Sequence, residues 1–256
     1  MLLVVSVAST LAAAQAPAPR AYAPGKTNAG QPDLQGVWQV VNTAAWDIQD
    51  HAGERFPGLP ARFSVPAGQG VVEGNEIPYQ PWALEQKRKN YESRVTADPE
   101  THCYLPGVPR ITYMPYPFQI FQFQDRVVIL YEYLHVTREI FTDGSRHPEI
   151  PVEFWMGDSR GRWEGNALVV DVRLFTNQTW FDRAGNFHSE NLHVTERYTP
   201  TSPDHLQYEV TIEDAKVFTR PWKIQMPVYR RHEPNSQLLE YECYAYAREG
   251  TDATAR

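Results

Sequence analysis

The stretch DHLQYEVTIED, residues 204–214, alternates between polar and apolar side chains from His205 to Glu213. A strict period of two is typical of a β-strand that has one face in a core and the other in water. The stretch ALVVDVRLF, residues 167–175, shows the same alternation. Both patterns predict half-buried strands of an antiparallel sheet. The side chains expected to face inward on the first stretch are Leu206, Tyr208, Val210 and Ile212.

Turn signals such as Asp143-Gly144 and Ala184-Gly185-Asn186 divide most of the chain after residue 117 into short segments of this kind. Because an open meander of this length would leave edges that promote aggregation, the sheet should close into a barrel or fold over as a sandwich. The predicted strands lie near residues 34–41, 118–124, 126–133, 135–142, 152–156, 160–163, 167–174, 191–199, 205–213, 217–224 and 238–246.

One helix is expected, over PWALEQKRKNYESRV at residues 81–95, which has proline at its first position and strong helix formers after it. The chain between residues 41 and 79 is interrupted by proline and glycine, which predicts long irregular loops. We therefore expect an all-β fold: an antiparallel up-and-down β-barrel with one short helix and long N-terminal loops.

The composition fits this fold and argues against two classes of partner. The 256 residues include 14 Tyr, 11 Phe and 7 Trp, and aromatic residues favour strands. The net charge is −7 and the 24 basic residues are scattered, so binding to nucleic acid is not expected. After the N-terminal segment, no stretch approaches the length of a membrane span.

The chain begins with an apolar run that ends in small residues, MLLVVSVASTLAAAQAPAP, as a secretory signal does. We expect a signal peptide over residues 1–14 with cleavage after Ala14, a flexible leader over 15–32, one barrel domain over 33–248 and a disordered tail over 249–256. The protein is therefore expected to be periplasmic or secreted.

Two cysteines, Cys103 and Cys243, would survive removal of a signal peptide. In an oxidising compartment they would form one disulfide across a loop of about 140 residues, worth roughly 5 kcal/mol on a chain-entropy estimate. Two unpaired cysteines are the alternative. No CxxC motif is present, so a structural zinc site is not expected.

The triplet Gly36-Val37-Trp38, followed by a β meander, resembles the G-x-W opening of lipocalin-like (calycin) barrels. The resemblance implies that Trp38 closes one end of the barrel under an arginine from a late strand, and that the barrel binds a small, mostly apolar molecule. The chain also resembles a group of exported bacterial proteins of unassigned function that share PDLQGVW, CYLPGVPR, GDSRGRWEGNALVVDV and HSENLHVTERY in this order. That likeness covers most of residues 32–245 and implies no activity.

Three charged residues fall on faces that are otherwise apolar. In HVTERY, Glu196 shares its face with a valine and a tyrosine. In VVILYEYLHVTREIF, a continuous period of two would place Glu132 and Arg138 on one aliphatic face. Because an unpaired buried charge is unfavourable, these groups should pair with each other or with a ligand. The first alternative is an internal Arg–Glu bridge; the second is a polar floor of a cavity, where Arg138 holds an oxygen and a glutamate acts as acid or base.

The histidines His135, His188 and His193 form a second candidate set. A divalent metal would need them to converge, and His193 and Glu196 lie three residues apart, on opposite faces of a regular strand. The alternatives are an acid–base role for at least one of the three and purely structural hydrogen bonding. No other cofactor is predicted.

Loop and aromatic residues complete the candidate site. In TNQTWFDRAGNFH, Trp180 would stack on a ligand, and Asp182 would either orient His188 or cap a turn. Tyr131 and Tyr133 belong to an aromatic run that fills the core or lines a cavity, and a lined cavity would favour a planar, apolar ligand.

Two functions compete on this sequence. The first is an exported barrel that binds a small apolar or aromatic molecule, with Trp38, Tyr131, Glu132, Tyr133, Trp180 and Asp182 as the binding residues. The second is a non-redox enzyme, a lyase, isomerase or hydrolase, that uses His135, Arg138, His188, His193 and Glu196 and is metal-dependent if the histidines converge.

Overall fold

Nine β-strands, hydrogen-bonded edge to edge in chain order, form a closed barrel within the part of the chain that this computed structural model describes, residues 22–55 and 64–245. The strands are β1 (Gly36–Gln39), β2 (Phe118–Gln122), β3 (Arg126–Tyr131), β4 (Thr137–Phe141), β5 (Asp158–Glu164), β6 (Ala167–Arg173), β7 (His193–Ser202), β8 (His205–Glu213) and β9 (Trp222–Arg230). The predicted all-β barrel is confirmed.

The expectation of a purely antiparallel barrel is wrong at one pair. β4 and β5 run parallel, with Phe141 opposite Arg160, and the other neighbouring pairs are antiparallel. Parallel neighbours need a crossover, and residues 142–157 supply it by carrying the chain back to the end at which β4 began. The predicted strand at 152–156 lies in this crossover, where Phe154 makes only an isolated bridge to Phe175.

Two further strand predictions need correction. The last strand runs over WKIQMPVYR, where alternate side chains from Trp222 to Val228 are buried, and so lies later than the predicted 217–224. Residues 238–242 are not a strand, and a helical segment starts at Cys243. The C-terminal segment 231–245, here named the strap, instead runs along the barrel. A disulfide joins its Cys243 to Cys103. Its backbone amides also donate hydrogen bonds to the Val37 carbonyl and the Glu132 carboxylate.

Helices occur in the long excursion between β1 and β2. α1 (Pro81–Ala97) starts at the predicted proline and ends before Asp98-Pro99, and α2 (Arg110–Tyr113) is a single turn whose four residues are all buried. Short 3-10 turns cover Glu73–Asn75 and Pro99–His102 in this excursion and Tyr133–His135 between β3 and β4. Among the described residues, no helix is long and apolar enough to cross a bilayer.

The barrel has two unlike ends. The tight turns after β2, β5 and β7 lie at the end where β1 begins, and we call this the closed end. The long loops 174–192 and 214–221 and the excursion that carries α2 lie at the other end, which we call the mouth. Any molecule that reaches the interior must therefore pass the loops of the mouth.

The terminal predictions are only partly covered by the structure. Residues 1–14, the expected signal peptide, and 249–256, the expected tail, lie outside the described residues. The described part of the expected leader, residues 22–32, forms a turn in which the Thr27 amide donates to Gln31 and Lys26 bridges Pro32.

Candidate functional site

An ion pair lies inside the barrel. Arg138 on β4 and Glu196 on β7 both point inward, and their side chains are 2% and 0% exposed. The guanidinium donates through Nη1 to Glu196 Oε1 at 3.1 Å, through Nη2 to Glu196 Oε2, and through Nε to Ser159 Oγ at 3.0 Å. The structure therefore brings together two of the predicted site residues as an internal bridge.

Two phenols complete the shell around the carboxylate. Tyr198 and Tyr208 donate to Glu196 Oε1 at 3.0 and 2.7 Å. Burial and the nearby Glu196 raise the pKa of both tyrosines well above the ordinary value, so both keep the protons that they donate. Burial disfavours the charge on Arg138, but Glu196 outweighs it, and the pKa of the guanidinium is raised. Arg138 therefore keeps its charge in an apolar setting.

Two buried hydroxyl groups lie beside this ion pair and take no part in it. Tyr131 lies inside the barrel close to Arg138, and Thr112 on α2 reaches the same region from the mouth. The two hydroxyls lie near each other and Tyr131 also lies near Arg138, but no described residue makes a well-aligned hydrogen bond with either, although both are buried. A buried hydroxyl without a partner is unfavourable, and native proteins usually satisfy it with water or a ligand. The interior thus combines a satisfied ion pair with unsatisfied neighbours.

The described part of the interior is lined by buried aliphatic side chains. Inward-facing residues such as Ile129, Val170, Val194 and Val210 are at most 1% exposed. α2 fills the mouth, where the Tyr113 hydroxyl donates to the carbonyl of Phe181 at 2.8 Å. An occupant of the barrel would therefore have to displace part of the mouth.

Glu132 does not belong to the inner face, contrary to the prediction. The 3-10 turn Tyr133–His135, with left-handed backbone angles at Leu134 and His135, breaks the period between β3 and β4. As a result β3 buries Val127, Ile129 and Tyr131 rather than the residues between them. The Glu132 carboxylate accepts a hydrogen bond from the Leu239 amide at 2.8 Å, so it fastens the strap.

The three predicted histidines lie in different environments. His135 is half-exposed and faces Glu242 at 3.4 Å. His188 is buried, and its Nε2 lies 2.7 Å from Thr179 Oγ1 while Nδ1 faces the carbonyl of Ser189 at 2.8 Å. Burial lowers the pKa of His188, which favours a neutral ring.

His193 points away from the interior, on the outer wall of the barrel. Its Nε2 lies 2.7 Å from Asp171 Oδ2 and its Nδ1 lies 3.0 Å from Glu213 Oε2. His147 lies between Asp171 and Asp158 in the same row of charges, at 2.6 Å from each. A surface groove of about 630 Å³ adjoins His193. The wall of the barrel therefore separates His193 from Arg138.

The positions of the three histidines do not support the predicted metal site. The three histidines share no partner, and within residues 22–55 and 64–245 no three His, Cys, Asp or Glu side chains are placed to hold a metal ion. The predicted enzyme set is likewise divided among the interior, the mouth and the outer wall.

The loop after β6 holds the other predicted contacts. Trp180 is half-buried and bridges Phe187. Asp182 is fully buried and caps a turn: it accepts hydrogen bonds from the Ile48 amide at 3.0 Å and from the backbone and side chain of Asn186. Burial and then the Asp47 carboxylate raise the pKa of Asp182 to about 7. Of the two predicted roles for Asp182, the turn cap matches these contacts.

A buried charge cluster at the mouth was missed by the sequence reasoning. Arg110 on α2 donates to both oxygens of Asp98 at 2.8 Å and to Glu100 at 2.7 Å, and Arg183 also donates to Glu100 at 2.7 Å. These contacts fix α2 in the mouth. The residues lie in loops without any period, so no hydrophobic pattern pointed to them.

Trp38 lies at the closed end as the family resemblance implied. Its side chain is 1% exposed, and its Nε1 donates to the carbonyl of Leu34 at 2.9 Å. The guanidinium of Arg230, the last residue of β9, stacks 4.1 Å from the ring centre and donates to the carbonyls of Gln35 and Pro203. Trp38 is therefore part of the wall that closes this end.

Comparison with known proteins adds no relative. No model of a protein family matches the chain, and a search of curated proteins finds no match.

Proposed function

We propose that the protein is an exported barrel of the lipocalin-like (calycin) type that binds a small apolar or aromatic organic molecule. The closed ring of strands supports this, as does the stacking of Arg230 on Trp38 at one end. The proposed partner is a small molecule, with no role for nucleic acid.

The observation that carries the proposal is the unsatisfied pair of hydroxyls inside the barrel. Tyr131 and Thr112 present hydrogen-bonding groups toward a region walled by aliphatic and aromatic side chains, next to Arg138 and Glu196. Ligand sites are mostly apolar with a few well-placed polar groups, which matches this lining. A molecule with an apolar body and one polar group would satisfy both features.

The proposed location rests on the disulfide between Cys103 and Cys243. Disulfides persist in oxidising compartments and are rare in the cytosol. Together with the signal-like N-terminal sequence, this supports a periplasmic or secreted protein.

Native mass spectrometry of the protein purified from its own host tests this function. We expect one non-covalently bound small molecule per chain, lost on denaturation. The double variant Tyr131→Phe/Thr112→Val should retain less of it, whereas Thr211→Val on the outer wall should retain as much as the wild type. A wild-type chain that carries nothing under gentle conditions would contradict the proposal.

A non-redox hydrolase is a second candidate, favoured by one contact. The 2.7 Å separation of Thr179 Oγ1 and His188 Nε2, with Nδ1 held by the Ser189 carbonyl, is the arrangement of a hydroxyl nucleophile and its base. Covalent labelling by a fluorophosphonate probe that is lost in Thr179→Val would support this candidate. Absence of labelling in the wild type would remove it.

A further inference from the structure

The strap, residues 231–245, covers a cluster of tyrosines beside the mouth. The ring of Tyr241 in the strap packs on Tyr116, just before β2, with ring centroids 4.6 Å apart. The same ring stacks on Tyr133, with centroids 5.6 Å apart and an interplanar angle of 28°. Tyr116 and Tyr133 are themselves 5.5 Å apart. One phenol ring of the strap is therefore seated against two rings of the barrel and its excursion.

The Tyr133 side chain has an unused polar group. Its ring is 1% exposed, yet its hydroxyl makes no hydrogen bond with any described residue, and the same holds for Nε of the nearby buried Arg110. Burial and the Glu100 carboxylate raise the pKa of Tyr133, so the hydroxyl stays protonated and remains a donor. The two rings thus combine an aromatic surface with a free hydrogen-bonding group.

The strap is held over these rings at two places. The Leu239 amide donates to Glu132, and four residues further on Cys243 is bonded to Cys103. A tether of this kind keeps a side chain at a high effective concentration at its own site. Tyr241 would then compete with any free molecule that fits between the strap and the rings.

We propose that Tyr116 and Tyr133 form a binding slot for a phenol-like aromatic ring and that Tyr241 occupies this slot until a ligand displaces it. This inference rests on the proposed function, because it names the ligand class and the first contact at the mouth. The chemistry follows from the present occupant: a planar ring satisfies the two tyrosine faces, and a hydroxyl or carbonyl on it satisfies the Tyr133 hydroxyl.

The test removes the occupant and leaves the tether intact. Binding of two probes, 2-naphthol and naphthalene, is measured by isothermal titration calorimetry on the disulfide-bonded full chain. Tyr241→Ala vacates the slot, and the matched control Tyr244→Ala truncates a strap tyrosine that is 60% exposed. Intact mass and a thermal melt verify that each variant keeps its disulfide and its fold.

We expect 2-naphthol to bind Tyr241→Ala about tenfold or more tightly than the wild type, since the tethered competitor is gone. Tyr244→Ala should behave as the wild type. Adding Tyr133→Phe to Tyr241→Ala should weaken 2-naphthol about tenfold and leave naphthalene unchanged, as expected for one lost buried hydrogen bond.

Equal affinity of 2-naphthol for the wild type and Tyr241→Ala would overturn the inference, and so would an equal gain in Tyr244→Ala. Either result leaves the proposed function standing if the protein from its host carries a bound molecule. A bare protein from the host would contradict the proposed function irrespective of the probe titrations.

Discussion

Arg138 and Glu196 meet among aliphatic side chains, where neither charge would be stable alone. Glu196 lies opposite Val170 and Val210 on the neighbouring strands, so the guanidinium and the two phenols replace the water that the carboxylate has lost. Of the two interpretations of these residues, the internal bridge is the one that these contacts match.

Arg138→Met should therefore lower the free energy of unfolding by about 3–5 kcal/mol, because it leaves Glu196 buried without its partner. The control Arg126→Met removes a half-exposed pairing with Asp125 and Glu139 and should cost less than about 1 kcal/mol. Urea titration at pH 7 measures both. A similar small loss in the two variants would mean that Arg138 is not buried against the carboxylate.

The raised pKa of Asp182 predicts that the stability of the protein depends on pH. Its pKa is raised to about 7, so between roughly pH 4 and pH 7 the folded protein holds a proton that the unfolded chain has released. The stability that this proton supplies is fully present below about pH 4 and is lost as the pH rises through 7. Asp182→Asn lacks this dependence, although the loss of a hydrogen-bond acceptor should make it less stable overall.

Urea unfolding of the wild type and Asp182→Asn at pH 4, 5, 6 and 7 measures the effect. The free energy of unfolding of Asp182→Asn should rise relative to that of the wild type as the pH rises. Asp171→Asn is the control: hydrogen bonds from His193 and Arg173 outweigh its partial burial and lower the pKa of Asp171, so its contribution is lost only below about pH 4 and should stay level across this series. A pH-independent difference for Asp182→Asn would contradict the raised pKa.

At the scale of strands, the period of two predicted β7 and β8 with their faces, including the inward positions of Glu196, Tyr198 and Tyr208. It failed between β3 and β4 because the tight turn at residues 133–135 resets the phase, and a continuous apolar stretch gives no sign of such a turn. The prediction that Arg138 faces inward was still correct, since Arg138 lies beyond the turn on β4. The same prediction was wrong for Glu132, which lies at the turn itself.

The strap is an element whose attachment depends on one covalent bond. Replacing Cys103 and Cys243 by serine opens a loop of 140 residues and should lower the free energy of unfolding by roughly 2–5 kcal/mol. The strap should also become sensitive to limited proteolysis before the barrel does. Unchanged stability together with an uncut strap would show that the other contacts of the strap suffice.

The closed end depends on the contact between β1 and β9. Arg230→Lys loses the flat stacking on Trp38 and the forked donation to Gln35 and Pro203, and should destabilise the protein by about 1–2 kcal/mol. Arg197→Lys on the outer wall keeps a charge near Glu164 and should change stability by less than about 0.5 kcal/mol. Chemical denaturation of the two variants distinguishes them, and equal effects would contradict a special role for Arg230.

For the whole molecule, alternation and turn signals predicted a barrel, and the G-x-W resemblance placed Trp38 at its closed end. The filling of the mouth by α2 was not predictable, because residues 98–117 are a proline-rich loop without a period. The same is true of the buried charges on Asp98 and Arg110, whose partners are set by tertiary packing. Sequence reasoning thus described the ring of strands better than its mouth.

The closed ring and the filled mouth together define what binding requires. A molecule inside the barrel must contact the inward face near Tyr131 and Thr112, and it must disturb the mouth to get there. A molecule on the outer wall, for example in the groove beside His193, would leave the interior unchanged.

Methyl NMR with the compound recovered from the host distinguishes binding inside the barrel from binding on the outer wall. Signals of the inward residues Ile129 and Val194 should shift on titration, while those of Val128 on the outer face and Val152 in the surface groove should not. Shifts confined to Val128 or Val152, with Ile129 and Val194 unmoved at saturation, would contradict binding inside the barrel.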